Sequence, residues 1–177
     1  MLDEKRAKEA EGNIKGYLDD GLLWKYKLSR KEILETYKRN YQESLDVAQK
    51  ISDQNLSNLW TVVISYYSMY YIANAVLYKI GYKIGTKVSH KVTSDALIVF
   101  VRNKLKKSLL EDYEEAKEEA LDIIGRKTND IIEIFDKEMK KRSVFQYEST
   151  EEIKKEKAKT SIERAKKFIF EMKKLLA

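Results

Sequence analysis

The chain has 177 residues with no cysteine, no proline and a single histidine, and its 35 basic against 29 acidic side chains give a formal charge of +6. That length suffices for one domain with its own core. The missing cysteines exclude disulfides and thiolate metal sites, and one histidine excludes a multi-histidine site, so neither a metal nor a cofactor is expected.

The basic excess is compatible with a polyanionic partner but well short of a nucleic-acid coat. The opening Met1-Leu2-Asp3-Glu4-Lys5-Arg6 is charged rather than an apolar signal core, which predicts a cytoplasmic protein. Lys, Glu, Leu, Ile and Ala recur at helical spacing throughout, no strand pair is apparent, and the expected class is all-α.

Residues 3 to 18 carry Ala7, Ala10, Ile14 and Leu18 on a narrow apolar stripe, suited to docking on a larger body. A connector from Gly21 to Leu28 follows, pinned by Leu22, Leu23, Trp24 and Tyr26. Residues 1–28 are therefore read as an N-terminal helix with its connector, and 29–177 as the main bundle. Ser29 and Glu32 form a capping box for a helix over 30–52, with Ile33, Leu34, Tyr37, Tyr41, Leu45, Ala48 and Ile51 on its inner side.

The next helix, over 55–81, has no charged residue from Asn55 to Tyr78 and stops at Gly81. Such a run is long enough to raise a membrane span. Its Asn58, Thr61, Ser65, Ser68, Asn74 and tyrosines argue instead for the central helix of a bundle, with no membrane. Ser57, Thr61, Ser65 and Ser68 form a strip of small residues that permits close approach of another helix, with self-association as one use.

After a turn over Tyr82–Val88, Ser89 or Thr93 is placed to cap a helix carrying Ala96, Leu97, Phe100, Val101 and Leu105. A helix over 114–142 puts Ile124, Thr128, Ile131, Phe135, Met139 and Arg142 on one seam. Ser143–Glu148 is a short turn, Ser149 with Glu152 the next cap, and Ala158, Ile162, Ala165, Ile169, Met172 and Leu176 mark the last helix. The sum is a four- to five-helix up-and-down bundle with an extra N-terminal helix.

Arg142, inward at a helix C-terminus, either caps that helix against an acidic neighbour such as Glu138 or offers a forked donor to phosphate. Tyr147 either plugs the bundle end or presents a phenol beside Arg142. His90 either serves structure or lines a polar pocket. Tyr66, Tyr67, Tyr70 and Tyr71 read first as core, and the pairs Glu114-Glu115 and Glu118-Glu119 as solvated faces. No glycine-rich phosphate loop and no serine in a nucleophile elbow is present.

Three motifs in order, Tyr66-Tyr67-Ser68-Met69-Tyr70, Ser89-His90-Lys91 and Arg142-Ser143-Val144-Phe145-Gln146-Tyr147, resemble a branch of the HEPN superfamily of small helical proteins over about residues 35–176. The resemblance implies a two-fold homodimer whose Arg-containing turns line a cleft. It further implies nucleotide or RNA binding, or partnership with a minimal nucleotidyltransferase in a toxin–antitoxin module. In those terms Arg142 and Tyr147 are the candidate catalytic residues, and Arg142, His90 and Tyr67 the candidate nucleotide- or RNA-binding ones. Ribonuclease members carry a histidine four to seven residues after the arginine, where this chain has Tyr147, and Phe145-Gln146 replaces the Ala-Asp of the related branch. The ribonuclease motif thus reads as degenerate. The alternatives are a metal-independent endoribonuclease toxin using Arg142 with Tyr147 or His90, and a noncatalytic helical interaction module.

Overall fold

A computed structural model describes residues 2–26, 30–140 and 153–177, the side chains of 126–140 excepted. The fold is all-α, with α1 (Glu4–Asp19), α2 (Lys31–Asp53), α3 (Asn58–Lys79), α4 (Ser89–Phe100), α5 (Lys107–Lys140) and α6 (Lys155–Leu176). α2, α3, α5 and α6 make the up-and-down bundle. α4 crosses between α3 and α5, and α1 is the extra N-terminal helix.

Side-chain contacts fix the directions. α6 starts beside the start of α3, where the Asn58 amide donates to the Ile153 carbonyl at 2.9 Å. α5 runs the opposite way, with Tyr113 against Tyr66 near its start and Ile123 packed with Val62 and Val63 farther on. Arg164 of α6 reaches Asp112, Glu115 and Glu119 of α5 at 3.8, 3.1 and 3.4 Å, a charged seam along the outside of that pair.

α3 is the centre because its composition leaves no alternative. With no charge before Lys79 it has no face that favours water, and it buries Val62, Tyr66, Met69, Ile72, Ala73, Val76 and Leu77 against α2, α4, α5 and α6. The small-residue strip faces inward as well: Thr61, Ser65 and Ser68 are buried within the chain. It lets this chain's own helices approach closely and is not a self-association face. Among the described residues no helix is long and apolar enough to cross a membrane.

Three local details differ from the sequence reading. A short antiparallel pair does exist, β1 (Leu23–Lys25) with β2 (Tyr82–Ile84), Leu23 opposite Ile84. Three residues per strand are too few for period-two alternation to show. Gly81 makes the pairing possible, since its φ is +97° and a Cβ there would sit 3.0 Å from the Tyr26 carbonyl oxygen. Second, the residue preceding α4 is Val88, in the left-handed region at φ 44° and with no side-chain cap; Ser89 is already inside the helix and Thr93 is buried under Asn74. Third, Arg30 precedes α2 without a side-chain cap. Ser29 and Ser149 lie outside the described residues.

α1 is held to α4 chiefly by one buried carboxylate. Asp95, fully buried, receives Arg6 Nη2 at 2.6 Å, Asn13 Nδ2 at 2.9 Å and the Tyr17 hydroxyl at 2.8 Å, all from α1. Ala7 and Ala10 pack beside it on Ile98 with Leu2 and Val99, and Ile14 enters the main core with Val92 and Ala96. Burial, then the hydrogen bond to Asp95 and its charge, push the Tyr17 phenol up. Removing one partner of a buried ion pair costs on the order of 3–5 kcal/mol. Asp95→Ala should therefore cost about that much in urea unfolding and release α1, seen as lost helical ellipticity. Asp95→Asn, which keeps an acceptor, should cost less.

Candidate functional site

The tyrosine block of α3 and the first turn of α4 meet at one place. His90 enters at the second residue of α4, and its Nδ1 lies 2.7 Å from the Tyr66 hydroxyl. The Tyr66, Tyr67 and Tyr70 rings surround it at centroid distances of 5.5, 5.7 and 4.6 Å, the Tyr67 contact edge-on. Beneath them Tyr113 of α5 is buried against Tyr66 at 5.8 Å and Phe168 of α6 at 5.3 Å. These spacings suit mutually attractive aromatic packing.

Depth differs within this cluster. Tyr66 and Tyr113 are buried, whereas Tyr67, Tyr70, Tyr71 and His90 are half-buried and present ring surface outward. On α3, Trp60, Ile64, Tyr67 and Tyr71 fall at intervals of four, three and four, so one stripe of the charge-free helix faces out. Trp60, at its end, is 53% exposed.

Charge is arranged around the rings. Lys117 Nζ contacts Glu114 at 2.9 Å and the Ser94 hydroxyl at 3.3 Å, Ser94 also donates to Glu114, and Arg6 comes within 3.8 Å of Glu114. Glu114 and Glu119 are thus engaged with other helices rather than simply solvated, because α5 turns those positions toward α4 and α6. Burial, and then the nearby Lys117 ammonium, hold the His90 imidazole below its ordinary value, so the ring is neutral at pH 7. Burial above all pushes the Tyr66 and Tyr113 phenols up, and both keep their protons. We assign the Nε2–H tautomer of the neutral ring, in which the Tyr66 hydroxyl donates and His90 Nδ1 accepts.

Of the residues picked from the sequence, His90 and Tyr67 are brought together. Arg142 and Tyr147 lie outside the described residues. Sequence reasoning missed Tyr70, Tyr113 and Lys117 around His90, and missed Asp95. A signal for Asp95 was present: it is the only charged residue from Val92 to Val101, and a lone carboxylate on an apolar helix needs a partner. Tyr113 stands among charged residues on α5 and carried no such signal. Among the described residues no group of three or more His, Cys, Asp or Glu side chains is placed to hold a metal ion.

No protein-family model matches this chain, and no curated protein matches it.

Proposed function

We propose that this chain is a HEPN-type bundle that binds nucleotide or RNA, acts as partner of a minimal nucleotidyltransferase, or does both. The observation that carries the reading is the meeting of two separated motifs: the Tyr66–Tyr70 block and the Ser89-His90-Lys91 step share one half-exposed aromatic site. Flat rings at partial exposure accept an unstacked base, and Lys87 and Lys91, exposed on either side of His90 in sequence, supply charge for phosphate. Arg142, assigned by the resemblance alone, is proposed as a bidentate donor to phosphate. Alanine substitution of a base-stacking ring costs about 1–3 kcal/mol. Tyr67→Ala should accordingly weaken binding of a short fluorescent RNA or of ATP, measured by anisotropy, roughly ten- to a hundredfold. Unchanged affinity in a folded Tyr67→Ala variant removes this site from the proposal.

The second part of the reading concerns Tyr147, at the position where ribonuclease members of the resembled superfamily have histidine. A phenol that holds its proton at neutral pH is a poor general base, so Tyr147 is assigned an acceptor role. The partner enzyme transfers adenylate from a nucleoside triphosphate to the phenol oxygen and releases pyrophosphate, which places negative charge beside Arg142. Co-expression with an adjacent nucleotidyltransferase should give an adenylate adduct by intact mass on the wild type and none on Tyr147→Phe. The ribonuclease alternative is favoured by one feature, the neutral His90 whose Nε2 has no hydrogen-bond partner among the described residues. Metal-independent RNA cleavage lost in both Arg142→Ala and His90→Ala would decide for it. Absence of binding, adduct and cleavage leaves the noncatalytic interaction module.

The active form is proposed to be a two-fold dimer, the commonest closed assembly. With the serine and threonine strip buried, exposed Leu56 and Trp60, at the start of α3 and apart from the Tyr67–Tyr70–His90 site, are apolar side chains available for it. Light scattering at micromolar concentration should give twice the 20.8 kDa chain mass, and Trp60→Glu should halve it. A monomer mass for the wild type rejects the dimer.

A further inference from the structure

We propose that His90 is a proton-operated latch: its neutral ring holds the first turn of α4 against the tyrosine block, and protonation in mild acid releases that turn. The inference goes beyond the binding reading and holds whichever ligand the site takes.

Hydrogen-bond direction supplies the first argument. In the assigned Nε2–H tautomer Tyr66 donates to Nδ1 across 2.7 Å, so a proton added at Nδ1 removes the acceptor and sets two donors face to face. The Tyr66 hydroxyl must then turn elsewhere. The buried Tyr113 phenol, packed against the Tyr66 ring, is the group beneath it.

Charge balance supplies the second. The groups facing this region are Arg6 and Tyr17 from α1, Tyr66, Tyr67 and Tyr70 from α3, Tyr113, Glu114 and Lys117 from α5, and Ser94, Asp95 and Lys91 from α4 itself. Arg6 and Lys117 are matched by Asp95 and Glu114, and both carboxylates are already engaged, Asp95 by Arg6, Asn13 and Tyr17, Glu114 by Lys117 and Ser94. An imidazolium would be a fourth cation beside Arg6, Lys91 and Lys117, with no carboxylate left for it. Attraction to the Tyr70 face works the other way, but that ring is tilted by 42° and half in water, where cation–π contacts are weakest.

Val92 anchors the end of that turn in the core, but its start, Ser89 to Lys91, is half-buried or exposed. α4 begins after Val88, a β-branched residue in left-handed backbone at φ 44°, and lacks a side-chain cap. Burial, followed by Lys117, depresses the His90 value, so the unfolded or opened chain takes the proton first as pH falls. The latch is fully closed above about pH 6.5, the ordinary histidine value, and is lost as pH drops through the folded-state value.

Because His90 is the only histidine, a histidine ring signal in proton–carbon correlation spectra belongs to it alone. On the full chain, that signal should titrate below about 6.5. The urea midpoint of the wild type should fall between pH 7 and 5, and amide exchange over 89–92, corrected for its intrinsic pH dependence, should quicken. His90→Gln should flatten the fall in urea midpoint. If His90→Gln does not fold, Tyr66→Phe serves: loss of the donated hydrogen bond should move the His90 titration upward. A wild-type titration at or above about 6.5, equal pH slopes in wild type and His90→Gln, or no shift in Tyr66→Phe overturns the latch.

Discussion

A helix that carries no charge over more than twenty residues has to be taken out of water on nearly every side, and the rest of the chain is arranged to do so. α2 and α6 are the principal coverings of α3, while α4 and α5 meet it through the tyrosines. Burial of apolar surface drives this arrangement and does not specify direction. Direction comes from polar contacts at the margins: Asn58 to Ile153 at one end of α3, the paired strands after Gly81 at the other, and the Arg164 fan outside. The one stripe left uncovered, Trp60 to Tyr71, is where the functional reading falls.

The second constraint is the buried carboxylate of Asp95. Its desolvation would be prohibitive without partners, and all three side chains it contacts come from α1. α1 is a narrow stripe of small apolar residues that would dock weakly by itself, so its position depends on that carboxylate. Glu114 and Lys117 extend the network to the edge of His90. Electrostatics thereby link the N-terminal helix, the crossing helix and the aromatic site.

Helical periodicity made most of this architecture legible. Ala7, Ala10 and Ile14 on α1, Tyr41 and Ala48 on α2, and Ala158, Ile162, Ala165, Ile169 and Met172 on α6 are all buried as their spacing indicates. The strand pair was hidden because three-residue strands carry no period. Val88 before α4 was hidden because left-handed valine contradicts the propensity from which caps are read. His90 and Tyr67 were singled out as residues, but spacing along a chain does not say that Tyr66, a neighbour of Tyr67, would supply the hydrogen bond, nor that Tyr113 from a helix forty residues on would lie beneath. Such pairings depend on the crossing of α3, α4 and α5, which no local pattern encodes. Arg142 and Tyr147 were legible only through the superfamily resemblance.

The order of the elements along the chain has a consequence for synthesis. α3 emerges early, yet one of its two principal coverings, α6, comes about a hundred residues later, and contacts of that separation form only after a large loop-closure cost. Until residues 155–176 have left the ribosome, the α2–α3 hairpin displays a tyrosine- and valine-rich flank with no charge to keep neighbouring nascent chains apart. A sequence of this kind is vulnerable to aggregation during translation rather than after it. The basic residues from Lys79 to Lys107, a stretch in which Asp95 is the one acid, emerge before α6 and are useful before the fold exists, since like charges keep unfinished copies separated while α3 waits for its cover.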